Sequence, residues 1–370
     1  MKTKKSIISK FLEVFRINRG VLLIYKYFLK ILLSDFIFTK YTSPTKLFNL
    51  LLILLQHFLI RGQKVVGYTI KITVDPTSYC NLRCPLCPTG NNDTLRSKGF
   101  MSFELFKKII DEVGRYVFVV DFWNWGEPLL NKDIFRMIRY ANEKRIKTRV
   151  STNMTVMNEE IAQRLIESGL DVLFASIDGV NRETYSKYRV GADFEKVMAN
   201  LRTVVEVKKK LSAKNPQIIW QFIIMRHNEH EVETVLKIAR ELGVKVKLAP
   251  TRPLMGYEIS MSEIDVVKNF ANWFPSHKYS RFVNGKNLLK PKNCPFLWTQ
   301  GVINWNGSVS PCCSVYPENS DFGNILSEGS FMAVWNGKNF RYARAIVKNK
   351  TPDPRIICSE CVKKGYFISP

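Results

Sequence analysis

Eight cysteines in 370 residues fall into two groups, and their spacing is the clearest chemical signal in the chain. Cys80, Cys84 and Cys87 form a C-x3-C-x2-C run; after 206 residues without a cysteine come Cys294, Cys312, Cys313, Cys358 and Cys361. Such clustering points to metal ligation. Disulfide frameworks belong to small secreted domains that lack a core, and this chain, 46% hydrophobic, is long enough to build a large one. Three thiolates in so short a run can close on three corners of a cube-shaped iron–sulfur cluster, leaving the fourth iron open to a substrate or cofactor. The competing use is a zinc knuckle with a fourth ligand from afar, but zinc sites more usually pair cysteines as C-x2-C, and no histidine stands close by.

The elements that must hold these residues begin near residue 68, where short β-rich runs alternate with helical periods. Strands are expected at Tyr68–Asp75, Tyr116–Trp123, Ile146–Ser151, Leu170–Ile177, Ile218–Met225 and Val244–Ala249, with helices at Ser102–Val113, Asn131–Lys144, Asn158–Ser168, Phe194–Lys210 and Asn228–Leu242 between them. Alternation of this kind predicts an α/β protein with a parallel sheet, a partial (β/α)6 barrel of the TIM type with functional loops at the strand C-termini. The expected organisation is an N-terminal helical extension over 1–65, a barrel over 68–250, a linker over 251–293 and a small cysteine-rich unit over 294–370. That last unit is turn-rich, with short strand signals at Gly301–Asn304 and Ser308–Ser310, and a metal cluster would serve as its nucleus.

Placed on those elements, TSYCNLRCPLCPTG after the first strand, WGEP after the second and SIDG after the fourth resemble the radical S-adenosylmethionine (SAM) superfamily over roughly residues 68–250. The resemblance implies a [4Fe–4S] cluster on Cys80, Cys84 and Cys87, with SAM chelated at the open iron. Reduction by a flavodoxin- or ferredoxin-like donor would cleave SAM to a 5′-deoxyadenosyl radical that takes a substrate hydrogen. Gly126, Glu127 and Pro128 match the motif that meets the methionine amino group, with Trp125 where the motif has its first glycine. Ser176 and Asp178 match the ribose and carboxylate region, and Arg189 in KYRVG matches an arginine on the methionine carboxylate, where bidentate geometry favours Arg. Asn153 follows the third strand and could face the same site.

The second cysteine group, with Gly307-x4-Cys312 and a terminal C-x2-C, resembles the SPASM/twitch extension. By that resemblance Cys294, Cys312, Cys358 and Cys361 close one auxiliary [4Fe–4S] cluster; a full SPASM domain carries more cysteines and a further cluster. Cys313 is left over. In sulfatase-maturing relatives an acid that acts as base follows the corresponding cysteine, so a thiol at Cys313 could deliver a hydrogen atom or take a proton; its bland use is as a spare ligand or buried spectator.

Charge adds one constraint. The balance is 56 − 32 = +24, and residues 1–70 hold twelve Lys/Arg against Glu13 and Asp35, a local +10. These basic residues are interleaved with the aliphatic runs Val21–Phe38 and Leu47–Ile60, both too short or too charged to span a bilayer. The start MKTKKSIISKF has the basic front of a signal peptide without a small-residue cleavage site after it. Residues 1–65 are therefore expected to lie on an anionic membrane surface, placing the protein in the cytoplasm at the inner membrane face, with a helical subdomain packed on the body as the alternative. Nucleic acid is disfavoured for want of a binding motif. The leading functional reading is a radical SAM enzyme acting on a membrane lipid, lipid-linked glycan or polyol carbon. The alternatives are a ribosomal peptide maturase and an iron–sulfur electron-transfer protein.

Overall fold

A computed structural model describes residues 40–56, 62–251, 272–276, 278–279, 282–283, 286–287, 294–349 and 353–364. Most of the expected N-terminal membrane segment and of the 251–293 linker lies outside these described residues.

The chain enters through α1 (Pro44–Leu55), capped by the Ser43 hydroxyl, which accepts the Lys46 backbone N–H at 3.3 Å. Then β1 (Lys71–Val74), α2 (Phe103–Val113), β2 (Val119–Phe122), α3 (Ile134–Glu143), β3 (Lys147–Thr152), α4 (Glu159–Glu167) and β4 (Val172–Ser176) follow in strict alternation. Two helices, α5 (Arg182–Tyr188) and α6 (Phe194–Lys210), precede β5 (Gln217–Ile224), α7 (Val232–Leu242) and β6 (Lys245–Pro250). Beyond a two-residue pair, β7 (Phe282–Val283) and β8 (Lys286–Asn287), come α8 (Phe296–Thr299), β9 (Gln300–Ile303) and β10 (Val309–Ser310). Four helices follow: α9 (Ile325–Glu328), α10 (Phe331–Trp335), α11 (Lys338–Asn349) and α12 (Cys358–Lys364). Each of the six expected strands and five expected helices is present within a few residues of its expected bounds, Phe194–Lys210 with those very bounds; α5 was not expected.

The main sheet runs β10-β9-β1-β2-β3-β4-β5-β6, and only the β9–β10 pair is antiparallel. Because the order is linear, the barrel is open. Burial alternates along β3 and β5, one residue sealed and the next half-exposed, so one face meets the helices and the other lines an accessible interior. Ile72, Val74, Val120, Phe122, Val150, Leu173, Ala175, Trp220 and Phe222 make up the sealed face.

Two packing features add to the sequence reading. The cysteine-rich region does not form a core of its own: β9 pairs in parallel with β1, Lys71 opposite Gln300 through Val74 opposite Ile303, and Ile303, Val309, Phe331, Trp335 and Phe340 join the barrel's own core. Its few apolar residues are buried by extending an existing sheet. Secondly, α1 turns polar side chains inward. Lys46 donates to the Arg145 carbonyl at 2.5 Å and Asn49 exchanges two bonds with the Tyr68 backbone, at 2.8 and 2.9 Å, while Leu47, Phe48, Leu51 and Leu55 stay exposed. Among the described residues no helix is long and apolar enough to cross a membrane.

Candidate iron–sulfur and cofactor site

The loop from Cys80 to Gly90 leaves the C-terminal end of β1, and the residues around it fix its shape. The Cys87 N–H donates to the Cys84 carbonyl at 3.0 Å, closing a turn, and a Cβ on Gly90 would stand 2.6 Å from the Cys84 nitrogen, so only glycine lets the loop fold back on itself. The Arg83 N–H donates to the Val190 carbonyl at 2.8 Å, tying the KYRVG loop to the cysteine loop. Leu82, Leu86, Tyr188 and Met225 wrap the three thiols in apolar surface. Burial pushes Cys80 and Cys84 up to about 11 and raises Cys87 as well, and the thiols add to this by repelling one another. Bare thiols here would stay protonated. A bound cationic cluster supplies the charge that holds them as thiolates, so the donor set fits one.

The expected polar residues surround this loop, but several are turned to other partners. A Cβ on Gly126 would lie 1.8 Å from the Thr77 carbonyl oxygen, and the Glu127 N–H donates to the Tyr79 carbonyl at 2.8 Å. The close approach that requires glycine is therefore to the chain leading into Cys80. Glu127 is buried, with burial raising its carboxyl; it accepts the Asn153 N–H at 2.7 Å and the Leu129 N–H at 3.2 Å, next to Pro128 at the start of a short 3-10 turn. Asn153 reaches Asn81 at 2.9 Å and stands 3.9 Å from the Cys80 sulfur.

Asp178 is turned toward Arg189. It is fully buried, its Oδ2 takes the Arg189 guanidinium at 2.7 and 2.6 Å, and its Oδ1 accepts the Ile223 N–H at 2.6 Å. Here both of its oxygens are engaged within the protein, and it holds Arg189, which sits beside Cys84. Ser176 faces the barrel interior and bonds Ser151 at 3.0 Å and Gln221 at 3.4 Å.

The second thiol set also converges. Cys294, Cys312, Cys358 and Cys361 are driven up by burial, Cys294 to about 11; Cys312, Cys358 and Cys361 each feel others of the group, and Cys313 acts on Cys294 and Cys312. All eight cysteines are free. Among the described residues no three His, Cys, Asp or Glu side chains gather tightly enough for a single ion. The Cys80–Cys87 loop follows β1, whereas Cys294 precedes β9 and Cys312 follows β10, which runs back toward the start of β9. The two sets thus flank the β1–β9 pair from opposite ends.

Sequence reasoning missed a clasp between them. Buried Arg96, in the loop after Gly90, grips Asp321 through two bonds of 2.9 Å and the Tyr316 carbonyl at 2.7 Å. Asp321 also accepts both Ser308 and Ser310 hydroxyls at 2.6 and 2.5 Å. It also missed Asp75, whose Oδ1 accepts the Trp125 N–H at 3.2 Å while its buried Oδ2 has no partner. The alternation Lys71, Thr73, Asp75 was the available signal for a polar inner face.

An open α/β barrel bearing two convergent thiol sets defines an iron–sulfur enzyme of the SAM-cleaving type. Residues 74–215 match the Radical SAM superfamily and residues 294–362 the SPASM iron–sulfur cluster-binding domain. The chain belongs to the radical SAM superfamily and carries a C-terminal SPASM domain; its cofactors are a [4Fe–4S] cluster, an auxiliary cluster and SAM.

Among its relatives, the tungsten-containing aldehyde ferredoxin oxidoreductase cofactor-modifying protein of Pyrococcus furiosus is 24% identical over 74% of this chain and 82% of that protein. The mycofactocin maturase MftC of Mycobacterium ulcerans is 24% identical over 81% of each. Streptococcus suis SuiB bound to S-adenosylmethionine shares the fold with a TM-score of 0.58 at 15% identity, over 76% of this chain and 69% of that one. SuiB bound to its precursor peptide SuiA superposes at 0.56 and 14% identity, over 74% and 66%.

Proposed function

We propose that this chain is a radical SAM maturase of a ribosomally made peptide, with Cys80, Cys84 and Cys87 holding the SAM-binding cluster and Cys294, Cys312, Cys358 and Cys361 holding one auxiliary [4Fe–4S] cluster. The observation that carries the site assignment is the convergence of two buried thiol sets flanking the β1–β9 pair, with an accessible polar barrel face beside them. Peptide chemistry is supported by the similarity to MftC along most of both chains and by SuiB, which has this fold and holds a precursor peptide. This reverses the preference stated from sequence for a lipid or glycan substrate.

The bound cluster and SAM supply an electron and a 5′-deoxyadenosyl radical. Arg189, aimed by Asp178, would receive the methionine carboxylate, while Glu127, Asn153 and Gly126 would hold the cysteine loop in register. Cys313, beside the auxiliary set, would give its thiol hydrogen atom to the substrate radical, the thiyl left behind regaining an electron from the flavodoxin- or ferredoxin-like donor and a proton from solvent, or, deprotonated, would take a proton from the substrate. Replacing Cys313 by Ser then abolishes product formation at unchanged iron content, and retained turnover would remove the residue from the mechanism.

The substrate assignment is tested by searching beside the gene for a short open reading frame, co-expressing any such peptide with the protein and weighing it. A mass change that depends on Cys84 is expected. An unchanged peptide, together with 5′-deoxyadenosine released only when membrane lipids are added, would overturn it in favour of a lipid or lipid-linked glycan. One observation favours that second reading: the exposed apolar face of α1 follows a strongly basic stretch, as at an anionic membrane surface.

A further inference from the structure

On α1 the usual division of a surface helix is inverted. Lys46, Asn49 and Gln56 are buried: Lys46 donates to the Arg145 carbonyl, Asn49 pairs with the Tyr68 backbone, and the Gln56 side chain accepts the Val66 and Gly67 N–H groups at 3.1 and 3.4 Å. The outer face is apolar. Leu47, Phe48, Leu51 and Leu55 are 38, 62, 51 and 39% exposed, their spacing sets them along one side of the helix, and Val66 beside Gln56 is 73% exposed. No Asp or Glu occurs between Asp35 and Asp75, and exposed Lys40 and Lys64 flank the helix in sequence. The inward contacts also fix where α1 sits. Tyr68, Arg145 and Asp171, the last bonded to Tyr41, precede β1, β3 and β4, so α1 covers the N-terminal end of the sheet, opposite the cofactor loops.

We infer that the outer face of α1 docks the enzyme on an anionic lipid bilayer. Single exposed apolar side chains are ordinary on a protein surface, whereas four along one helix face with no charge among them gain free energy by entering an apolar medium. A protein partner would offer such a medium too, but the charge favours lipid. Residues 1–70 carry a net +10, and cations around an apolar helix face are drawn to anionic headgroups while the side chains enter the acyl boundary. The face is built of leucine and phenylalanine, without the Trp, Tyr and Arg anchors that dominate protein interfaces. Buried hydrogen bonds already hold α1 in place, so little ordering is lost on docking. With α1 against the bilayer, the cofactor end of the barrel faces water. Attachment therefore suits a soluble peptide as well as a lipid, and the inference stands apart from the substrate reading.

The test is co-sedimentation of the anaerobically reconstituted full chain with vesicles of phosphatidylcholine alone or of phosphatidylcholine and phosphatidylglycerol in equal parts. Binding to the anionic vesicles should exceed binding to the neutral ones about tenfold or more. It should fall about tenfold or more in Phe48→Ser/Leu51→Ser, because each side chain removed takes its transfer free energy with it. Leu326→Ser, at an exposed apolar position on α9, should bind as the wild type does. Thermal midpoints check that α1 stays docked on the body, and Phe48→Ser alone, at the most exposed of the four, reads the same effect with the least disturbance. No binding to anionic vesicles, equal binding to both lipids, or binding indifferent to Phe48→Ser/Leu51→Ser overturns the inference. A lipid-free dimer in analytical ultracentrifugation that is lost in the same variant, together with no vesicle binding, overturns it in favour of a second copy of the chain.

Discussion

Arg189 and Asp178 show how a residue's role changes once its neighbours are known. From sequence both are polar groups near a cofactor; in the structure one carboxylate is spent on aiming one guanidinium. Asp178→Asn should therefore keep the fold and weaken SAM binding about tenfold, because a neutral amide holds the guanidinium less firmly. Equilibrium dialysis of labelled SAM checks this, and unchanged affinity would return Asp178 to a purely structural part. Asp75 offers a pH test. Burial raises its carboxyl from 3.8 to about 7, against two backbone N–H donors that lower it. The folded state then binds this proton more tightly than the unfolded chain, so stability falls as pH rises from about 4 to 7, by an upper limit of about 4 kcal/mol. In Asp75→Asn that fall should vanish, and the variant's lead in thermal midpoint should grow across this window; parallel curves would contradict the assignment.

At the scale of elements, the cysteine loop is shaped by segments far from it in sequence. The 1.8 Å approach of a Gly126 Cβ to the Thr77 carbonyl means that Gly126→Ala must displace the segment between β1 and Cys80. The variant should lose the SAM-binding cluster and keep the auxiliary one, about half of the bound iron. Full iron content would show that the loop tolerates the shift. The Arg96–Asp321 clasp is a buried bidentate pair; Arg96→Met should cost about 3–5 kcal/mol by stranding Asp321 among hydroxyls, read from denaturant midpoints. The helices of the barrel were legible because of their strong helical period, as in Phe103–Val113 with its Ser102 cap, and strands such as β2 and β4 because they are short apolar runs between turn residues. The clasp was not, because Arg96 and Asp321 are 225 residues apart and neither sits in a local pattern.

For the whole molecule, cysteine spacing alone located both metal-binding regions, since three or four thiols in short runs have few other uses. What spacing could not show was that the second region is sewn into the first. That follows from β9 seeking the open edge of β1, a long-range pairing with no sequence signature. A chain ending at residue 293 should therefore be insoluble or aggregated, with β1 left as a bare edge. A soluble, cooperatively folding truncation would mean that the barrel stands alone.

The most direct test of the account is anaerobic reconstitution followed by reduction in the presence of SAM, with iron counted and 5′-deoxyadenosine measured for the wild type, Cys84→Ala and Cys358→Ala. The account predicts about eight irons and 5′-deoxyadenosine from the wild type. Cys84→Ala should lose about half the iron and all SAM cleavage, and Cys358→Ala should lose iron while still cleaving SAM. Cleavage that survives Cys84→Ala, or a fully loaded wild type that releases no 5′-deoxyadenosine on reduction, would contradict it.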